Sequence, residues 1–199
     1  MYKDVYVTGD THGVFAKIYD LIQYLKEPSV IIITGDFGGV WMADEKYVPH
    51  FYPIVTDEDR QAEEEKLNNL SETLDEHILM FVCGNHENFD RLYSYPETEM
   101  FGGLTHEIRP NIFHMMRGEV FNIADMKIFA FGGAFSHDID GGIIDFTKEN
   151  FSRDILRAIE NNLPYRYKNI SWWEEERPSK EELDKGYEVL NNNPSFDEL

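Results

Sequence analysis

The sequence predicts an α/β fold, a parallel sheet with helices packed across it. Three short apolar runs are separated by helical periods, and each run ends in a glycine-framed pair of polar residues. At 199 residues and 42% hydrophobic, the chain is large enough to bury a core and sized for one domain spanning 1–199.

The elements follow in order. Val5-Tyr6-Val7 leads into Thr8-Gly9-Asp10 as a first strand. Val14, Phe15, Ile18, Leu21, Ile22 and Leu25 then recur with a 3.6-residue period, the stripe of an amphipathic helix. Val30-Ile31-Ile32-Ile33 is continuously β-branched, as a strand buried on both faces must be. A polar and aromatic loop runs from Phe37 to Thr56, and Leu67, Leu70 and Leu74 mark a second helix. Ile78 to Cys83 forms a third strand, giving the alternation of a sheet covered by crossover helices.

The second half changes character. Runs at 112–116, 119–123 and 127–131 are separated by short polar turns, which predicts an antiparallel meander. Gly132-Gly133 ends it, and two helices follow over 151–159 and 181–190, the second entered through Pro178-Ser179. Asn191-Asn192-Asn193-Pro194 reads as a turn.

Charge narrows the partners. Lys and Arg total 18 against 38 Asp and Glu, a net charge of −20, which disfavours a basic nucleic-acid-binding surface or an anionic membrane. Much of the acid lies in two segments, nine carboxylates against two bases over 57–76 and nine against three over 172–199, read as solvated helix faces. There is no apolar run long enough to span a bilayer and no signal-peptide pattern, and the lone Cys83 fits a reducing compartment; the expected localisation is cytoplasmic.

The chemistry sits at the three strand ends. Asp10 and His12 follow the first, Gly35-Asp36 the second and Gly84-Asn85-His86-Glu87 the third. Ligands of open α/β sheets bind beyond the carboxyl ends of the strands, so the three clusters should meet in one crevice. Carboxylate, imidazole and amide oxygen suit divalent ions such as Mn²⁺, Fe²⁺, Zn²⁺ or Mg²⁺. Asp36, on the middle loop, is placed to bridge two ions, and His86, beside a ligand without needing to be one, can protonate a leaving oxygen. His137 follows Gly132-Gly133 near the same crevice and is a candidate for a substrate-binding or metal role. Packing or hydrogen-bonding roles are expected for Cys83, His50, His77, His106 and His114, and core or groove-lining roles for Trp172 and Trp173.

These blocks, in this order, resemble the calcineurin-like metallophosphoesterases. The resemblance continues through Arg109-Pro110-Asn111-Ile112, Arg117-Gly118-Glu119-Val120-Phe121, Gly132-Gly133-Ala134, Ser136-His137-Asp138-Ile139 and Ser171-Trp172-Trp173, as in a bacterial or phage branch. It implies a four-layer α/β/β/α sandwich and two divalent ions, with manganese first among the choices. It further implies that Asp10 and His12 bind one ion, Asp36 bridges, Asn85 binds the other, and His86 meets the scissile phosphate. The implied reaction is hydrolysis of a small phosphate monoester, diester or nucleotide by metal-activated hydroxide. Where the protein phosphatases of this superfamily carry an aspartate and an arginine after Gly-Asp, this chain reads Gly35-Asp36-Phe37-Gly38-Gly39-Val40-Trp41, which disfavours a protein phosphatase. The family's late histidine motifs have no counterpart after Trp173, so the resemblance covers the front of the family domain. Two alternatives follow: a non-catalytic metal- or phosphate-binding module, and a half-domain that self-associates or needs a complementing C-terminal segment.

Overall fold

A computed structural model describes residues 2–49 and 55–193. Strand β1 (Asp4–Thr8), helix α1 (Ala16–Ile22), β2 (Ser29–Thr34), α2 (Asp57–Leu74) and β3 (Ile78–Val82) form the predicted parallel unit. A short helix α3 (Phe89–Leu92) leads to β4 (Glu97–Met100) and β5 (Gly103–Arg109), an antiparallel hairpin that the sequence reading does not contain. Its two-residue turn places Phe101 and Gly102 both at positive φ, the geometry whose twist matches that of the strands.

The predicted meander is only half right. β6 (Ile112–Met115) does not pair with the strand after it; it lies parallel to β3 and antiparallel to β5. The six-stranded sheet therefore runs β1-β2-β3-β6-β5-β4. β7 (Glu119–Ile123) and β8 (Met126–Ala130) form a separate antiparallel hairpin. The remaining elements are β9 (Ile143–Ile144), α4 (Phe151–Glu160), β10 (Arg166–Tyr167) and α5 (Lys180–Asn191), with β9 and β10 a short parallel pair.

The central strands β2 and β3 are buried on both faces, which explains their continuous apolar runs. Ile31, Ile33, Leu79 and Phe81 pack with Ile18 of α1 and Leu67, Leu70 and Leu74 of α2. The alternate residues Val30, Ile32, Ile78 and Met80 pack with Phe121, Ile123 and Ala130 around the β7–β8 hairpin. Helix α5 lies against that hairpin, where a side chain at Gly186 would meet the Phe131 ring. Helices, sheet, hairpin and helix thus stack in the order expected of the layered sandwich, its second sheet being two strands among the described residues. β1 is an edge strand, and Val7 on it is exposed.

Capping boxes start α2 at Thr56 and Asp59 and α5 at Ser179 and Glu182. Helix α1 is shorter than the periodic stripe: Phe15 precedes it and is buried, while Val14 is exposed. The acidic face of α2 is not wholly solvated, since Glu63 is buried and Arg91 pairs with both Glu63 and Glu64. No helix among the described residues is long and apolar enough to cross a membrane. The expected turn at 191–194 is described only to Asn193, and His50 lies outside the described residues.

Candidate active site

The loops after β1, β2 and β3 are laced into one unit by main-chain hydrogen bonds. Thr11 and His12 donate their N–H groups to the Asp36 carbonyl at 3.0 and 2.9 Å, and the Gly13 N–H donates to Phe37 O at 2.8 Å. His12 and Asp36 both sit at positive φ, 46° and 43°, a conformation that costs energy for residues with a Cβ and is tolerated where surrounding bonds enforce it.

Asp36 is the hub. Its Oδ1 accepts from the backbone N–H of Asn85 at 2.8 Å and of His86 at 3.0 Å. Its Oδ2 stands 3.8 Å from His12 Nε2, and Asp10 Oδ2 approaches the same nitrogen at 3.8 Å. Donor atoms of His12, Asp36 and His86 all lie within 4.8 Å of one another, which fits the nitrogen and oxygen donor set of a divalent cation. The sequence reading keeps His86 off the ions; here its ring belongs to the same cluster.

Under this surface lies Glu87, fully buried, with Oε1 accepting the Phe37 N–H at 2.7 Å and Oε2 the Gly84 N–H at 2.8 Å. It ties the β3 loop to the β2 loop from below. Burial pushes its carboxyl up to about 8, against the pull of the amides bonded to it.

Around the cluster are residues that the sequence reading missed. The Trp41 ring stacks on His86 with centroids 5.1 Å apart, and its backbone N–H is held by the buried Glu63 at 2.8 Å. Arg166 reaches in from 80 residues away, its Nη2 3.5 Å from His86 Nε2. Asp138 holds that guanidinium bidentately through Nε and Nη2, both at 2.8 Å. The hydrogen bond from Arg166 in turn holds the Asp138 carboxyl below the usual carboxylate range. Burial lowers the His86 imidazole below its ordinary value, Arg166 and His12 add to that, and Asp36 opposes it. Asn85 Nδ2 donates to Ser136 Oγ at 3.3 Å, and Ser136 is bound in turn by Glu176. His137 is exposed between Ser136 and Asp138. No local sequence pattern marks Arg166 or Glu176; only the fold brings them here.

A cavity of about 250 Å³ opens beside the cluster, lined by His12, Gly38, Trp41, Lys66 and His86 among others. A larger one, about 660 Å³, lies between residues 45–49 and 145–147 and is lined by none of the predicted site residues.

His77, His106, His114 and Trp173 take the structural roles expected of them. His77 Nδ1 accepts the Ser29 N–H at 3.1 Å, His106 and His114 share a hydrogen bond at 3.0 Å, and Trp173 is buried with Nε1 donating to Asp90 at 2.9 Å. Cys83 is buried, and burial pushes its thiol up to about 12.

A family model described as calcineurin-like phosphoesterase matches residues 3–195. Over 161 residues the chain is 28% identical to lariat debranching enzyme A of Xenopus laevis, covering 76% of this chain and 27% of the relative. Over 182 residues it is 25% identical to the lariat debranching enzyme of Danio rerio, covering 83% of this chain and 27% of the relative. The matched region is thus about a quarter of the length of these curated relatives. No solved structure matches significantly.

Proposed function

The chain belongs to the calcineurin-like phosphoesterase family, and on that premise we propose that it hydrolyses a phosphate mono- or diester with two divalent ions held by Asp10, His12, Asp36 and Asn85. Family membership implies metal-dependent phosphoester hydrolysis; the number of ions, their identity as manganese and the individual roles are our assignment. The observation that supports it is the meeting of the His12, Asp36 and His86 donor atoms at the ends of three parallel strands. We read residues 1–199 as belonging to one such domain.

When bound, the ions supply an activated water and a clamp for a phosphate oxygen. The protein residues do the rest. Asp36 has committed Oδ1 to two backbone amides, which leaves Oδ2 as the oxygen with which Asp36 would hold both ions. Asp10 and His12 would hold one ion, and Asn85, through its amide oxygen, the other. His86 offers a ring N–H to the leaving oxygen, kept in place by the Trp41 stack. Arg166, oriented by Asp138, supplies the cation that meets the phosphoryl group beside His86. The lariat in the relatives' names is not carried over, because the net charge of −20 disfavours a long polyanion; small phosphoesters suit the 250 Å³ cavity.

Asp36→Asn and His86→Ala test the assignment. Metal content by elemental analysis and aryl phosphatase and diesterase rates in Mn²⁺ are measured for each. Asp36→Asn should lose both metal and turnover, by orders of magnitude in rate. His86→Ala should keep its metal and lose turnover. The clustering of His86 with His12 and Asp36 also favours a second reading, His86 as a ligand, and metal loss in His86→Ala selects it.

A further inference from the structure

Glu176 is 1% exposed, and among the described residues its carboxylate meets the N–H and O–H of Ser136 and makes no ion pair. Burying a carboxylate without a cation is a costly way to hold a loop. A neutral side chain would do that at lower cost, so the arrangement asks for another reason.

The reason lies in hydrogen-bond polarity. Ser136 is also buried, and it has a single hydroxyl hydrogen, which it gives to Glu176 Oε2 at 2.6 Å while its N–H goes to Oε1 at 2.9 Å. The Ser136 oxygen can then only accept from a third group. That group is Asn85, which must turn its Nδ2 toward Ser136, at 3.3 Å. Asn85 Oδ1 is left with no hydrogen-bond partner among the described residues and faces away from Ser136. An amide binds a cation through oxygen and never through its NH₂, so this orientation decides whether Asn85 is a ligand at all.

We propose that Glu176 is a positioning residue: acting through Ser136, it fixes the Asn85 amide with its oxygen presented to the metal cluster. The proposal rests on the reading of Asn85 as a ligand.

An isosteric change at Glu176 should reverse this chain of hydrogen bonds. In Glu176→Gln, the glutamine oxygen takes the Ser136 N–H, and its NH₂ donates to Ser136 Oγ. The Ser136 hydrogen must then go to Asn85, which turns its oxygen toward Ser136 and its NH₂ toward the cluster. Asn85→Asp has no NH₂ to misplace, and its carboxylate accepts the redirected serine hydrogen.

The test is Mn²⁺ titration of the whole chain by calorimetry, with thermal melting of each variant. Asn85→Ala and Glu176→Gln should both weaken Mn²⁺ binding about tenfold or more, the latter with a near wild-type melting temperature. Ser136→Ala, which frees the amide without reversing it, should weaken it less. Adding Glu176→Gln to Asn85→Asp should strengthen binding relative to Asn85→Asp alone, a reversal of sign that a merely structural role for Glu176 does not produce. Wild-type affinity in Glu176→Gln, with Asn85→Ala impaired, overturns the positioning role and leaves the ligand reading intact. Wild-type affinity in Asn85→Ala overturns both. Should Glu176→Gln fail to fold, Ser136→Ala decides, and wild-type affinity there overturns the proposal.

Discussion

Asp36 Oδ1 occupies the space that a side chain at Gly84 would need. A Cβ placed on Gly84 would lie 1.9 Å from Asp36 Oδ1 and 2.7 Å from its backbone nitrogen. The close approach is what lets that oxygen accept the Asn85 and His86 N–H groups and hold the β2 and β3 loops at one distance. The glycine here serves space and not an unusual φ.

Gly84→Ala should therefore be more damaging than its size suggests. The methyl must displace Asp36 or the β3 loop, breaking two hydrogen bonds to a carboxylate. We expect a loss of about 1–3 kcal/mol in stability and loss of Mn²⁺ binding. Urea unfolding and calorimetric Mn²⁺ titration check both, and an alanine variant that binds Mn²⁺ as the wild type does would show that Asp36 is not locked this way.

Arg166 can be tested separately, since it touches His86, Asp138 and Ser171 and none of the assigned metal ligands. A charge-assisted hydrogen bond contributes about 1.5–3 kcal/mol, so Arg166→Ala should weaken inorganic phosphate binding by about ten- to hundredfold and raise KM for an aryl phosphate. Metal content should stay at the wild-type level. Arg166→Lys should recover only part of the effect, because an ammonium cannot keep the bidentate grip of Asp138. Unchanged phosphate affinity in Arg166→Ala would leave the arginine as a strap between Asp138 and the Ser171 carbonyl.

How much of this was legible in the sequence depends on how local the signal is. The parallel core could be read because Val30–Ile33 and Ile78–Phe81 are buried on both faces and so carry no polar interruption. The glycine-framed strand ends could be read because strand topology alone brings them to one edge. The β4–β5 hairpin could not. Glu97-Thr98-Glu99-Met100 lies at the far edge of the sheet and is largely polar, and its turn uses Phe101-Gly102 in place of the usual asparagine-glycine. The partner of β6 was misread because Ile112–Met115 looks the same whichever strand lies beside it; pairing is set by packing against Phe81 and His106, not by the run itself. The residues around the cluster were out of reach for the same reason. Ser136 is 51 residues from Asn85, and Arg166 is 80 from His86.

His106 on β5 and His114 on β6 stack at 8° and share one hydrogen bond between their Nδ1 atoms at 3.0 Å. That bond needs one N–H and one lone pair, and protonating the acceptor would set two N–H groups face to face. Burial lowers His106, with Glu97 pulling against it. His114, completely buried beside Phe81, is held well below the ordinary imidazole value of 6.5 by burial, then by His106 and Arg117. Both folded-state values lie below the unfolded ones, so the unfolded chain binds more protons as the pH falls. Stability should therefore be lost below about pH 6.5, at about 1.4 kcal/mol per pH unit for each proton taken up on unfolding. Glu87 works in the opposite sense, since its raised value of about 8 makes stability fall as pH rises from 4.5 toward 8. The comparison is accordingly made between the wild type and a His106→Leu, His114→Leu double variant, which carry the same Glu87. Replacing both partners by apolar side chains of similar size costs little at pH 7.5. Urea unfolding between pH 5 and 7.5 should show the wild type declining more steeply than the double variant, and parallel curves would show that the pair takes up protons as readily in the folded chain as in the unfolded one.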